Sequence, residues 1–136
     1  MSLLIREYTK LDWLEFMTIS DDEWAQAIRP LGFSMIKDYD GKVLKMLLAF
    51  CDDQLAGFIY GFVLPNHALI PEFMYVKPEF RHNGIAQKML AELEKQSGCT
   101  AAMIFYNKSL HDYYKNLGYT TGSEIEVAMK ELTTED

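Results

Sequence analysis

Residues 73–98 constrain this chain more than any other stretch, because they demand a strand, a tight polar turn and a helix in immediate succession. Phe73, Met74, Tyr75 and Val76 make an apolar run of strand formers, and Pro78 sits in the turn that follows. Ile85, Ala86, Met89, Leu90 and Leu93 then recur at the spacing of one helical stripe, with Gly98 placed to end the helix in a left-handed C-cap. The junction carries chemistry. A helix N-terminus offers unpaired backbone N–H groups and the positive end of the macrodipole, and Gly84 and Ala86 keep the approach to those groups open. Phosphate is the natural guest of such a loop.

The chain has 136 residues and is expected to form one domain over 1–136, large enough to bury roughly two thirds of its unfolded surface. Its apolar fraction of 49% and charged fraction of 24% are those of an ordinary globular protein. The apolar residues 3–5 meet charge too soon for a signal peptide, and no apolar run approaches the roughly 20 residues of a membrane span. A cytoplasmic protein with no membrane partner is expected. Cys51 and Cys99 lie far apart without a Cys-x-x-Cys pair, among strand-like residues, and read as buried free thiols. The three histidines are scattered, so no metal site is expected. A formal net charge of −7 argues against a nucleic-acid partner. It also requires a site for an anionic cofactor to be a local exception, and Lys77, Arg81, His82 and Lys88 gather at the loop.

Along the chain, residues 3–8 alternate as a first strand. Thr9 with Asp12 is an N-cap signature for a short helix through Leu11, Leu14 and Phe16. Residues 20–23 form a second cap before Trp24, Ala27, Ile28 and Leu31 at helical spacing, broken by Pro30 and Gly32. Asp12, Glu15, Asp21, Asp22 and Glu23 make this region strongly negative. After a turn at Asp40-Gly41, residues 43–51 and 55–64 make a hairpin about Asp52-Asp53, with Gly57 and Gly61 on one side to admit a close neighbour. Residues 68–76 are the strand that feeds the loop. Pro71 cannot donate to a ladder, so it implies a bulge or an unpaired edge. Residues 100–106 read as a short buried strand, and Ser109 with Asp112 caps a helix whose apolar face is Leu110, Tyr113, Tyr114 and Leu117, ending at Gly118. Residues 119–122 and 125–132 read as two closing strands before a frayed acidic tail.

Two motifs point to a family. Arg81-x-x-Gly84-x-Ala86, with Val76 upstream, has one glycine where the dinucleotide fingerprint needs three, and it lacks the Gly-Lys-Ser/Thr ending of a P-loop. It resembles the acetyl-CoA pyrophosphate loop of the GCN5-related N-acetyltransferases, the GNAT superfamily. Asn107, Tyr113-Tyr114 and Gly118-Tyr119 are similar to that family's second pattern of asparagine, a bulky residue followed by tyrosine, and glycine with an aromatic. The resemblance covers about residues 43–122. It implies an α/β fold with a mixed, mostly antiparallel sheet of about six or seven strands, splayed at the cofactor cleft and flanked by about four helices.

The resemblance also implies roles. Backbone groups of Met74, Tyr75 and Val76 would pair with the pantetheine arm, and Arg81, His82, Asn83, Gly84, Ile85 and Ala86 would hold the pyrophosphate. Asn107 would contact the cofactor beyond the loop, and Tyr114 would be the acid that protonates the leaving thiolate. Glu72, beside Pro71, stands where some members place a carboxylate near the acceptor amine. Leu110 replaces a frequent alanine and could narrow the cofactor channel. The reaction implied is acetyl transfer from acetyl-CoA to the amine of a small molecule or peptide, a cationic one if the acidic N-terminal helices border the cleft, by a monomer or homodimer. An acyl-CoA sensor without turnover and a transferase of another acyl group are the alternatives. Packing alone could account for Tyr113, and a turn position for Asn107.

Overall fold

The computed structural model describes residues 2–17, 22–121, 127–130 and 132. They gather into two compact units, Met1–Phe105 and Tyr106–Asp136. The first unit is built on a five-stranded sheet of β1 (Leu3–Glu7), β2 (Leu44–Cys51), β3 (Gln54–Val63), β4 (Ala68–Val76) and β5 (Ala101–Ala102), ordered as numbered. The first four strands are antiparallel, β2, β3 and β4 joined through short turns and β1 joined to β2 through the N-terminal helices, and β5 is parallel to β4. Asp52 and Asp53 make the β2–β3 turn with φ of 48° and 68°, a left-handed pair that aspartate tolerates. A parallel neighbour needs a crossover, and helix α4 (Ile85–Ser97) supplies it.

Each face of the sheet is covered by what its alternation presents. Phe58 and Tyr60 of β3, with Tyr75 of β4, meet the N-terminal helices α1 (Trp13–Met17), α2 (Asp22–Ile28) and α3 (Phe33–Lys37) in one core that includes Phe16, Trp24, Ala27, Ile28 and Ile36. Its centre is aromatic: Trp24 lies 4.6 Å from Phe58 and 5.1 Å from Tyr75, both edge-on, a geometry worth about 0.5–1.5 kcal/mol per pair beyond burial. On the other side α4 packs against β2, β3 and β4 through buried Ile85, Met89, Leu90 and Leu93, four residues of the predicted stripe.

Several expectations change. The first helix does not bury Leu11 and Leu14, which are 93% and 63% exposed; its first turn is 3-10 (Lys10–Asp12), so the stripe rotates and Phe16 alone of the three enters the core. Helix α3 was not foreseen between Gly32 and the Asp40-Gly41 turn, and it brings the number of α-helices among the described residues to five. Ser20 and Asp21 lie outside the described residues. Residues 100–106 do not form a buried strand: only Ala101–Ala102 pairs, and Met103 and Phe105 are 51% and 56% exposed. Cys51 is buried as expected, whereas Cys99 is half-buried.

The second unit holds a 3-10 turn (Lys108–Leu110) and helix α5 (His111–Asn116). Its cap sits two residues earlier than expected, because Asn107 Oδ1 accepts the Ser109 N–H at 3.1 Å. The predicted closing strands are not present in residues 119–121, 127–130 and 132, and their remaining residues, like the acidic tail, lie outside the described residues. The described sheet therefore has five strands instead of six or seven.

Candidate active site

The site is organised by how β4 parts from its neighbours. On one side β4 is laddered to β3 as far as Val76, while on the other it pairs with β5 only at Ala68 and Leu69, extended by the Met103 N–H donating to the Leu69 carbonyl at 2.9 Å. Beyond Leu69 that edge of β4 has no strand partner among the described residues. The β3 side is drawn tight by two glycines. A Cβ at Gly57 would overlap the Tyr75 carbonyl oxygen, and one at Gly61 would lie 2.8 Å from that of Ile70.

The anomaly at Pro71 is a bulge. Gly61 pairs with Pro71 and Tyr60 with Phe73, so Glu72 is the extra residue with no partner across the ladder. Proline suits this position because it has no N–H to leave unpaired. The extra residue also moves β4 out of phase: Leu69 and Pro71 are buried, Glu72 and Phe73 are both exposed, and Tyr75 is buried in the aromatic core. Phe73 stacks on Tyr60 with ring centres 5.9 Å apart and planes 25° from parallel. Tyr60 in turn donates to the Ala27 carbonyl of α2 at 3.4 Å. Burial first, and then the charge of Glu72, push the Tyr60 phenol well above its ordinary range.

Past Val76 the chain makes a 3-10 turn (Pro78–Phe80) and enters the loop. His82 and Gly84 take left-handed φ of 66° and 73°, and Gly84 caps α4. The Asn83 amide braces this turn, donating to the carbonyls of Phe80 at 3.1 Å and Arg81 at 3.2 Å. Buried Ile85 anchors the first turn of the helix from below, and nothing lies within 4 Å of where a Gly84 Cβ would stand. The first amides of α4 therefore lie beneath an open, glycine-lined approach, an arrangement that fits an anion.

Arg81 is engaged within the protein. Its Nε donates to the Val76 carbonyl at 2.7 Å, its other end pairs with Glu23 of α2 at 3.1 Å, and its guanidinium lies 5.6 Å from the Tyr75 ring centre. It straps the loop to β4 and α2, and it already occupies the carbonyl of Val76, one of the groups expected to meet the pantetheine. The acidic region is tempered in the same way. Asp12 is held bidentate by Arg6 at 2.9 Å on each arm, and this guanidinium keeps its carboxyl below the ordinary range.

In the second unit Tyr114 is buried among Tyr106, Tyr113 and Tyr119, with ring centres at 4.9, 5.0 and 5.9 Å. Burial, and secondarily Tyr113, push its phenol up, so it keeps its proton at neutral pH. The Asn107 side-chain oxygen serves the helix cap. Glu72, Met74, Tyr75, Val76 and residues 81–86 are thus gathered along β4 and its loop in the first unit, whereas Asn107 and Tyr114 belong to the second. Sequence reading missed Phe73 as a surface aromatic and Glu23 as the partner of Arg81. The first was implicit in Pro71, since a bulge there changes which face the next residue takes; the second had no local signal.

Comparison with known proteins decides the family. The model described as "Acetyltransferase (GNAT) domain" matches residues 42–121. The chain belongs to the GNAT acetyltransferase family. This acetyltransferase is 31% identical to the thialysine N-epsilon-acetyltransferase of Bos taurus, in a match covering 90% of this chain and 78% of the relative. Its fold is similar to that of a ribosomal-protein-alanine N-acetyltransferase from Brucella melitensis biovar Abortus 2308, with a TM-score of 0.68, 20% identity and coverage of 97% and 100% of the two chains. It is also similar to an aminoglycoside N-acetyltransferase in complex with CoA, with a TM-score of 0.75, 16% identity and 96% of each chain covered.

Proposed function

We propose that this acetyltransferase transfers acetyl from acetyl-CoA directly to the amine of a small molecule or peptide that carries positive charge. The observation that carries the reading is the coincidence, on one strand, of the edge left without a strand partner, the bulged carboxylate Glu72 and the open glycine-capped helix start. In this reading the backbone amides of residues 81–86 hold the pyrophosphate, groups of Met74, Tyr75 and Val76 align the pantetheine, and Asn107 adds a contact beyond the loop. The CoA complex among the fold relatives supports the cofactor, and the relatives named for thialysine and aminoglycosides support an amine acceptor.

The chemistry asks for orientation, a neutral amine, a stabilised oxyanion and a proton for the departing thiolate. A lysine-like amine lies more than about three pKa units above pH 7, so reaching its neutral form costs about 4–5 kcal/mol. Glu72, exposed at the bulge, accepts that proton and passes it to water. The amine nitrogen then bonds to the thioester carbon, the C–S bond breaks as Tyr114 delivers its proton to the sulfur, and the nitrogen's remaining excess proton passes to water, from which the Tyr114 phenolate is reprotonated. A panel of lysine analogues, aminoglycosides, polyamines and peptide N-termini, read by thiol release from acetyl-CoA, tests the proposal. Release with one cationic class supports it. Acetyl-CoA binding with no release from any amine would identify a cofactor-binding module instead.

A further inference from the structure

We infer that Phe73 is a specificity-determining residue whose exposed ring face, beside Glu72, receives the ammonium form of the acceptor. The inference rests on the acetyltransferase reading of the site. A phenylalanine on β4 would ordinarily be turned inward or covered, yet Phe73 keeps 37% of its surface exposed between buried Pro71 and buried Tyr75. The cause is the bulge, which inserts Glu72 and leaves two successive side chains at the surface. One face of the ring is backed by Tyr60, 5.9 Å away and near parallel, and Tyr60 is itself buried and tied to α2 through Ala27. The ring is therefore held in place from one side and keeps part of its surface in solvent.

Glu72 adds the second half of the recognition. Its charge is felt at the Tyr60 phenol on which Phe73 stacks, so carboxylate and ring lie around the same tyrosine. An aromatic face and a carboxylate side by side both favour a cation, the ring through its quadrupole and the carboxylate through its charge. A neutral acceptor gains neither. The pair suits the species that dominates at neutral pH, since a lysine-like amine arrives as ammonium and surrenders its proton only after docking. Arg81 and Lys77, the cations close by, are turned elsewhere, toward Glu23 and the Val76 carbonyl and toward the Trp24 ring at 5.9 Å.

The test compares wild type with Phe73→Leu and Phe73→Tyr, using the best ammonium acceptor of the panel and a hydrazine-type acceptor that is neutral at pH 8. Phe73→Leu should raise KM for the ammonium acceptor about three- to thirtyfold with a much smaller change in kcat. The ratio of kcat/KM between ammonium and neutral acceptors should fall by a similar factor, and Phe73→Tyr, which keeps the ring, should restore it. Tetraethylammonium, which cannot be acetylated, should compete with the ammonium acceptor in wild type and several-fold more weakly in Phe73→Leu. An unchanged ratio in Phe73→Leu, or equal loss for both acceptors, would overturn the assignment. Absence of thiol release from every amine in wild type sinks the enzymatic reading instead, and a titration of tetraethylammonium into the protein with CoA still reads the ring site: binding weakened by Phe73→Leu supports it, and binding equal in both opposes it.

Discussion

At the scale of single residues, Gly84 and Tyr114 carry the sharpest expectations. Gly84 holds a left-handed φ of 73° with open space around its missing side chain, so other residues are disfavoured there by backbone conformation and not by crowding. Gly84→Glu adds that strain and sets a carboxylate over the amides of α4. Calorimetry should find acetyl-CoA binding abolished while circular dichroism stays near wild type. Unchanged affinity would remove the loop from the cofactor site. Tyr114→Phe deletes one proton donor and little volume. It should lower turnover about ten- to a thousandfold with cofactor affinity nearly constant, whereas Tyr113→Phe should do far less. Stopped-flow thiol release compares the two, and a larger loss at Tyr113 would shift the acid by one residue. Gly84 was legible in the sequence as a glycine before a helix, whereas Tyr114 was singled out by the resemblance of its stretch to the family's second pattern. The engagement of Arg81 with Glu23 was not legible there, since 58 residues separate them.

At the scale of elements, the bulge in β4 joins fold to chemistry. Gly61 pairs with Pro71 and Tyr60 with Phe73, so removing the residue between them leaves the two flanking pairs as consecutive rungs of a regular ladder. Deletion of Glu72 should therefore preserve the fold, with a urea-derived stability within about 1 kcal/mol of wild type, because it removes an irregularity and exposes no core residue. Acetyl transfer should fall more than about a hundredfold, as carboxylate and ring alignment go together. A collapsed fold would mean that the bulge is structural; retained activity would mean that Glu72 and its bulge are not in the site. A bulge of this kind was foreseeable from Pro71, which cannot serve an interior ladder. The shortness of β5 was not, since residues 100–106 have the composition of a buried strand and owe their exposure to the divergence of β4 from its neighbour.

At the scale of the whole molecule, the first unit's core is held by tyrosines as well as hydrocarbons. Tyr8 donates to the Ile36 carbonyl at 3.2 Å, Tyr39 to Glu7 at 2.8 Å and Tyr60 to the Ala27 carbonyl at 3.4 Å. Burial, the largest cause in each case, pushes all three phenols above their ordinary 10.0. A phenolate could not donate, and it would be stranded in an apolar core. Since the folded pKa values are raised, the stability that these groups contribute is complete below about pH 10 and is lost as pH climbs from there toward the folded values. Melting temperature should hold from pH 8 to about 9.5 and then fall steadily, and Tyr60→Phe should flatten part of that fall. A profile level to pH 11 would show that the phenols titrate alike in both states. No described helix is long and apolar enough to cross a membrane.

The sequence by itself determined the strand, loop and helix of residues 73–98, the β2–β3 hairpin, the irregularity at Pro71 and the family. The first three are written in short-range chemistry, helical and strand periodicity, glycine and proline at positions of special φ, and cap spacing, and the family in the resemblance of two motifs. Tertiary structure alone decided which apolar residues are buried in the N-terminal helices, where Phe16 enters the core and Leu11 and Leu14 do not, because burial depends on how the sheet's aromatic face receives the helix. It alone decided that Arg81 and Asp12 are paired with Glu23 and Arg6, since charges find partners by proximity in space. It also decided the outward turn of Phe73 with Glu72. That orientation depends on which rung of β3 each residue meets, and register is a property of two strands that neither carries alone.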